Sequence, residues 1–286
     1  MNDLRFHVWD VFTDTPFAGN PLAIVEATGD LTTGQMQVLA RQFNLSETIF
    51  LMPPRDPAHT ARARIFFPTA EIPFAGHPTI GAALFLARRD GHAEVVLEEE
   101  AGRVPVRIDG DRAQFTAPVL PAPHGGPVDA ALAAEALGLS VDAIGPHAPA
   151  AFTGGPAFLY VPVRDRDRLA RARPQEPAWT GLVTRMGVTG AFLYDPDLNA
   201  RMFAPTAGIP EDPATGAASA ILAAQLLAND ALPEGTTRRT IRQGEDMGRP
   251  SEIGFEADVA EGRITTIRIS GNAVPVAEGR IRVPPP

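Results

Sequence analysis

The sequence predicts an α+β fold of two similar units, each a sheet wrapped around one apolar helix. Three observations lead there: the halves of the chain repeat one another, each half holds one helical stretch without a polar face, and strand-like runs surround that stretch. The repeat is the strongest. Phe17-Ala18-Gly19-Asn20-Pro21 matches Phe152-Thr153-Gly154-Gly155-Pro156, and both run into apolar strands, residues 22–25 and 157–161. Phe43-Asn44-Leu45-Ser46-Glu47 matches Met186-Gly187-Val188-Thr189-Gly190 more weakly. Arg64-Ile65-Phe66-Phe67-Pro68-Thr69-Ala70-Glu71-Ile72-Pro73 matches Arg201-Met202-Phe203-Ala204-Pro205-Thr206-Ala207-Gly208-Ile209-Pro210, identical at seven of ten positions. After a slip of two residues, His77-Pro78-Thr79-Ile80-Gly81-Ala82-Ala83 matches Asp212-Pro213-Ala214-Thr215-Gly216-Ala217-Ala218. Collinear matches with small indels between them mean a duplicated domain. Two such copies are expected to face each other about a pseudo-two-fold axis, with a ligand site in the cleft between them.

The elements follow in order. In the first half, strand-like runs at 6–12, 22–25, 48–52 and 63–67 surround a helical stretch at 33–43. Residues 79–88 read as a second helix, apolar almost all round and therefore buried. Strands at 95–97, 104–108 and 113–115 follow, the last two joined at Asp109-Gly110, a dipeptide suited to a type I′ turn. In the second half, 215–227 is the apolar helix, followed by strands at 253–257 and 264–269. The Pro- and Gly-rich stretch 118–127 reads as the linker. The halves are thus 1–120 and 127–278, with the C-terminal strand 279–286 a candidate to return to the first half.

Composition removes several chemistries. The chain has 286 residues and no cysteine, and all 25 of its basic residues are arginine. Without cysteine there is no disulfide, no thiolate nucleophile, no two-thiol racemase pair and no Cys-ligated metal. Without lysine there is no Schiff base with pyridoxal phosphate or a carbonyl substrate, and no P-loop lysine. The six histidines, His7, His59, His77, His92, His124 and His147, show no close ligand pair, so no metal site is expected. No glycine-rich nucleotide motif occurs, and no cofactor is expected. A net charge of −9 argues against nucleic-acid binding, and the arginines alternating with Asp over 164–173 read as a solvated face. Residues 1–12 lack the pattern of a signal peptide. The longest apolar stretch, 214–228, is broken by Thr215, Ser219 and Gln225 and falls short of the ~20 residues of a membrane span. No membrane partner and a cytoplasmic location are therefore expected.

Chemical roles are sought where the copies differ. Glu47 stands opposite Gly190 in the repeat, and His77 opposite Asp212. His77 and Asp212 each precede a proline just ahead of an apolar helix, and Glu47 lies at a strand entrance between Ser46 and Thr48. Two carboxylates and an imidazole suit general acid–base catalysis, with Asp212 able to hold the His77 tautomer. The plainer alternative makes Ser46-Glu47 an exposed strand start, and His77 and Asp212 capping residues; the repeat favours the chemical reading. The helix starts, Thr79-Ile80-Gly81-Ala82 and Thr215-Gly216-Ala217-Ala218, carry small residues where free N–H groups and the dipole favour an anion. The same glycines also suit close helix packing. Gln243, Gly244 and Arg249 form a glycine-punctuated polar loop, a weaker candidate for substrate contact, as is Asn20 at its turn.

Phe17-Ala18-Gly19-Asn20-Pro21, Asn44-Leu45-Ser46-Glu47-Thr48, Phe74-Ala75-Gly76-His77-Pro78-Thr79, Glu211-Asp212-Pro213-Ala214-Thr215-Gly216 and the loop from Gln243 to Ser251 resemble the phenazine-biosynthesis PhzF family, in order and over nearly the whole chain. The resemblance implies a diaminopimelate-epimerase-like fold: two pseudo-symmetric domains, each a curved, mostly antiparallel sheet around a central apolar helix, often as a homodimer. Epimerases and racemases of that superfamily use one cysteine from each half, and this chain has none. The resemblance further implies a cofactor-free isomerase acting on a small carboxylate-bearing, cyclic metabolite like trans-2,3-dihydro-3-hydroxyanthranilate. Glu47 is then the acid/base, assisted by His77 and Asp212, with Asn20, Ser46, Gly76, Thr215, Gly216, Ala217, Gln243, Gly244 and Arg249 around the substrate. Where many members have serine after Thr-Gly, this chain has Ala217, so a backbone contact survives and a hydroxyl contact does not. Two other readings stay open: a noncatalytic small-ligand-binding protein, and a different acid–base reaction, elimination or hydrolysis, at the same residues.

Overall fold

A computed structural model of the chain describes residues 3–27 and 31–285. They divide into two compact units, Met1–Pro118 with Ile269–Pro286, and Val119–Arg268. The expected linker began at 118, but the return to the first unit begins at Ile269 rather than at 279.

The first unit starts with antiparallel β1 (Asp3–Val11) and β2 (Asn20–Glu26). Helix α1 (Thr33–Phe43) follows, with a capping box in which Thr32 and Gln35 exchange hydrogen bonds. Its chain then enters β3 (Glu47–Met52), parallel to β2. Next come β4 (Ala61–Phe66), β5 (Glu71–Ile72), α2 (Gly76–Asp90), β6 (Glu94–Glu99), β7 (Gly102–Asp109) and β8 (Arg112–Thr116).

The second unit holds β9 (Ala122–Pro123), α3 (Ala130–Ala136), β10 (Ala150–Thr153), β11 (Ala157–Pro162), α4 (Arg166–Arg171), α5 (Ala178–Met186), β12 (Gly190–Tyr194), β13 (Asn199–Ala204), β14 (Ile209–Asp212), α6 (Gly216–Leu227), β15 (Gly235–Gln243) and β16 (Ser251–Ala260). The long β17 (Arg263–Arg282) begins in this unit and ends in the first, where it pairs with β1 from Ala273 onward.

The repeat reappears in the strand pairing of each unit taken alone. In the first, β2–β3 is parallel, β3–β4 antiparallel and β4–β6 parallel. In the second, β11–β12 is parallel, β12–β13 antiparallel and β13–β15 parallel. The weak match around Asn44 and Gly187 also holds in three dimensions, since both residues end a helix in the left-handed conformation, at φ 51° and 62°.

The central helices carry each unit's packing. Every residue of α2 from Gly76 to Ala87 is buried, and the helix packs on β1, β2, β3, β6, β7 and β8. This explains why its sequence shows no polar face, and fully burying Ile80 or Leu86 contributes roughly 1.5–3 kcal/mol each. In α6, residues 218–226 are buried, against β10, β11 and β16 among others. No helix of the described residues is long and apolar enough to cross a membrane.

Three local expectations are corrected. The β7–β8 turn is centred on Gly110-Asp111, because Asp109 still pairs with Arg112. Of these two residues only Gly110 has positive φ, which places glycine first, as in a type II′ turn. The expected linker is partly strand, since Ala122 and Pro123 pair with β10. Finally, α2 starts at Gly76, ahead of the expected 79, because proline is tolerated in a first turn whose N–H groups have no helical acceptor.

Close packing makes a prediction. A Cβ on Gly81 of α2 would lie 2.6 Å from Leu22 Cδ2 and 2.8 Å from Val11 Cγ2, whereas one on Gly181 of α5 meets nothing within 4 Å. Gly81→Ala should therefore cost about 1–3 kcal/mol by overpacking. Gly181→Ala should gain about 0.5–1 kcal/mol through helix propensity. Urea titration of both variants checks the pair, and equal effects of one sign would contradict the packing described.

Candidate active site

The sequence-predicted residues of the first unit come together at three element starts. Asn20 opens β2, Glu47 opens β3, and Gly76-His77 form the first turn of α2. Leu22 pairs with Glu47 across the parallel strands. His77 Nδ1 lies 2.8 Å from Glu47 Oε2, and His77 Nε2 lies 3.1 Å from the Asn20 carbonyl oxygen. All three residues are buried, with Glu47 the most exposed at 8 %.

The hydrogen positions follow from chemistry. A carbonyl oxygen only accepts, so His77 Nε2 carries a hydrogen and donates it to Asn20. Nδ1 then either donates to an ionised Glu47 or accepts from a protonated one. Between Nδ1 and Oε2 there is thus one proton that can sit on either side. A carboxylate whose proton can be parked 2.8 Å away on a fixed imidazole suits acid–base work.

His77 does not cap its helix: the cap position is Ala75, which makes no side-chain bond. Ser46 is half-buried directly before Glu47. The first-turn N–H groups of Gly76 and His77 have no acceptor within α2, and Pro78 supplies none, so this turn presents donors to an anion.

In the second unit the aligned stretch folds differently. Asp212 is buried at the end of β14, three residues ahead of Thr215, which precedes α6. Thr215 Oγ1 donates to Asp212 Oδ2 over 2.5 Å. Gln243 is fully buried and binds this turn from β15: its Nε2 donates to Asp212 O (2.7 Å) and approaches Thr215 Oγ1 (3.1 Å), and its Oε1 accepts from Thr215 N (3.1 Å). Gln243 therefore spends its amide on holding the Asp212–Thr215 turn. This is why the strand runs on to Asp212 in the second copy, while the first copy is already helical. Gly244 is hemmed in, since a Cβ there would lie 2.3 Å from Arg249 O and 2.7 Å from Pro213 O. Arg249 donates its backbone N–H to Gly244 O and is half-buried. Gly216 is buried and Ala217 half-buried at the start of α6. A cavity of about 350 Å³ in this unit, lined by His147, Tyr194 and Arg239, includes none of the predicted residues.

The copies differ at Glu47 for a steric reason. Its counterpart Gly190 faces Phe203 O, only 2.3 Å from where a Cβ would stand. The second unit has no room for a glutamate there.

One further group escaped the sequence reading. Glu99 ends β6, and alternation along Val95, Leu97 and Glu99 turns its side chain inward. It lies 2.7 Å from Thr79 Oγ1, which is itself 2.8 Å from Ala75 O. Thr79 has one hydroxyl hydrogen. With Glu99 protonated, Glu99 donates to the Thr79 hydroxyl and that hydroxyl to Ala75 O; with Glu99 ionised, the hydroxyl must turn to the carboxylate, leaving Ala75 O to the Thr79 N–H alone. Burial pushes the Glu99 carboxyl up to about 8, against the opposing Thr79 hydrogen bond. The acid form is thus the one built into the turn that carries His77.

The model of the PhzC-PhzF family, phenazine biosynthesis-like proteins, matches residues 9–279. The chain belongs to this family. An uncharacterized isomerase of Mesorhizobium japonicum is 38 % identical, covering 98 % of this chain and 99 % of its own. A trans-2,3-dihydro-3-hydroxyanthranilate isomerase of Pseudomonas aeruginosa is 33 % identical, over 96 % and 98 %. The solved structure of a predicted epimerase from Pseudomonas aeruginosa superposes with a TM-score of 0.83 at 29 % identity, over 97 % and 99 %. This PhzF-type chain is an isomerase, and with no cysteine it is not a two-cysteine epimerase.

Glu99 gives the PhzF-type chain a testable pH dependence. Below about pH 4.5, the ordinary value, the carboxyl is protonated folded and unfolded. Between there and about 8 the unfolded chain ionises it and the folded chain does not, so stability falls as pH rises and levels off above 8. Each unit of the interval is worth about 1.4 kcal/mol, which bounds the loss at roughly 5 kcal/mol. Glu99→Gln keeps a donor toward Thr79 and cannot ionise. Its stability relative to wild type should rise between pH 5 and pH 9 in denaturant titrations; a constant difference would contradict the buried acid.

Proposed function

We propose that the chain is a cofactor-independent isomerase that moves a proton on a small, cyclic, carboxylate-bearing metabolite related to trans-2,3-dihydro-3-hydroxyanthranilate. The observation that carries this reading is the buried Glu47–His77 pair with its one shared proton. Ionised Glu47 takes a proton from one ring carbon, and the electron pair left behind spreads along the adjacent unsaturation. The proton is then returned at a second carbon, so mass is conserved. His77, held by the Asn20 carbonyl, orients the carboxylate and keeps the shared proton on Nδ1, so that Glu47 is ionised when it takes the substrate proton and itself carries that proton between the two transfers. The free N–H groups of Gly76 and His77 take the substrate carboxylate. Asp212, read from its place in the repeat, is assigned as a second proton-handling group, and Thr215, Gly216 and Ala217 are assigned supporting roles.

Composition supports a carboxylate mechanism, because there is no lysine for a Schiff base and no cysteine for a thiol pair. The relatives named as trans-2,3-dihydro-3-hydroxyanthranilate isomerases support the substrate class. Glu47→Gln should lower kcat/KM by about two orders of magnitude or more. In deuterium oxide the wild type should place solvent deuterium in the product, observed by mass spectrometry. Undiminished turnover by Glu47→Gln would overturn the assignment.

A further inference from the structure

The two copies differ in the loop that leads into the Asn20 strand. In the second unit β10 and β11 are joined by residues 154–156 alone, and Phe152, the repeat counterpart of Phe17, lies in β10 and is 5 % exposed. In the first unit the connection spans 12–19, and Phe17 is 73 % exposed. Burying such a ring would ordinarily stabilise the protein.

The loop is built to hold that ring outward. Phe12 and Phe17 both adopt positive φ, 63° and 70°, which costs a non-glycine residue of order 1 kcal/mol or more. Phe12 is fully buried, its N–H donates to Asn272 O over 2.7 Å, and its ring lies where a Cβ on Gly271 would be. The Phe17 N–H donates over 2.6 Å to the carboxylate of Asp10, a buried residue. Between them, Thr15 N–H donates to Thr13 Oγ1 and Ala18 N–H to Thr15 O. The base of the loop is closed by the Val11–Asn20 pair, and the Asn20 carbonyl holds His77. Only Ala18 and Gly19 lie between Phe17 and Asn20, so the Phe17 Cα lies within about 11 Å of the Asn20 Cα.

We propose that Phe17 is a specificity-determining residue whose ring covers one face of the substrate's ring at the Glu47–His77 site. This rests on the isomerase reading for its substrate class. A rigid loop holding an exposed aromatic ring favours flat, unsaturated ligands over open-chain carboxylates.

The probe is 3-hydroxyanthranilate, an aromatic carboxylate with no saturated ring carbon to isomerise, titrated calorimetrically into the full chain. The wild type should bind it, Phe17→Ala should weaken binding about tenfold, and Phe17→Tyr should stay near wild type. Phe17→Gly should melt no lower than wild type, because glycine adopts this φ freely, yet bind as weakly as Phe17→Ala. No binding by the wild type, unchanged binding by Phe17→Ala, or a Phe17→Tyr as weak as alanine overturns the inference. Turnover of Glu47→Gln is read separately: an active variant removes the proposed mechanism while the binding result for Phe17 stands.

Discussion

A buried imidazole needs two hydrogen-bond partners, and meeting that need organises the first unit. His77 finds one partner at the start of β2 and the other at the start of β3. Its ring thereby ties two parallel strands to the first turn of the helix they surround. Leaving either nitrogen unpaired would cost about 1–3 kcal/mol. The same two bonds determine the chemistry, since the Asn20 carbonyl forces a hydrogen onto Nε2 and leaves the other proton to be shared with Glu47. Below that turn, Glu99 and Thr79 apply the same logic to the Ala75 carbonyl, so proton positions are set at two successive points of one helix start.

Duplication supplies the scaffold, and small steric differences assign the roles. Both copies carry a bidentate arginine–glutamate pair on the corresponding hairpin, Arg64 with Glu71 and Arg201 with Glu211. The second is deeply built in, for Arg201 also donates to the carbonyls of Leu169, Ala170 and Ala172. These two guanidiniums are engaged in structure rather than held free for an anion. Where the first copy has Glu47, the second has a glycine pressed against Phe203 O. Where the first begins a helix at Gly76, the second is held extended to Asp212 by Gln243.

Much of this was legible in the residues. The ladder 64–73 against 201–210 announces the duplication, and the all-apolar stretches announce the central helices, because only a helix buried on every side can dispense with a polar face. The Glu47–His77 bond was not legible, as 30 residues separate the partners and no local period links them. Equivalence in the repeat also misled where side chains intervene: it placed His77 ahead of its helix like Asp212, whereas Pro78 fits within the first turn. Glu99 could have been found from alternation along β6. The exposure of Phe17 could not, since its aligned counterpart Phe152 is an ordinary buried strand residue.

The placement of protons around His77 governs both the fold of the first unit and its chemistry, and ¹⁵N NMR of the imidazole tests it directly. Nε2 should be protonated at every pH at which the chain is folded, with Nδ1 showing intermediate character that Glu47→Gln abolishes. A neutral ring carrying its hydrogen on Nδ1 alone, with Nε2 bare, would contradict the account.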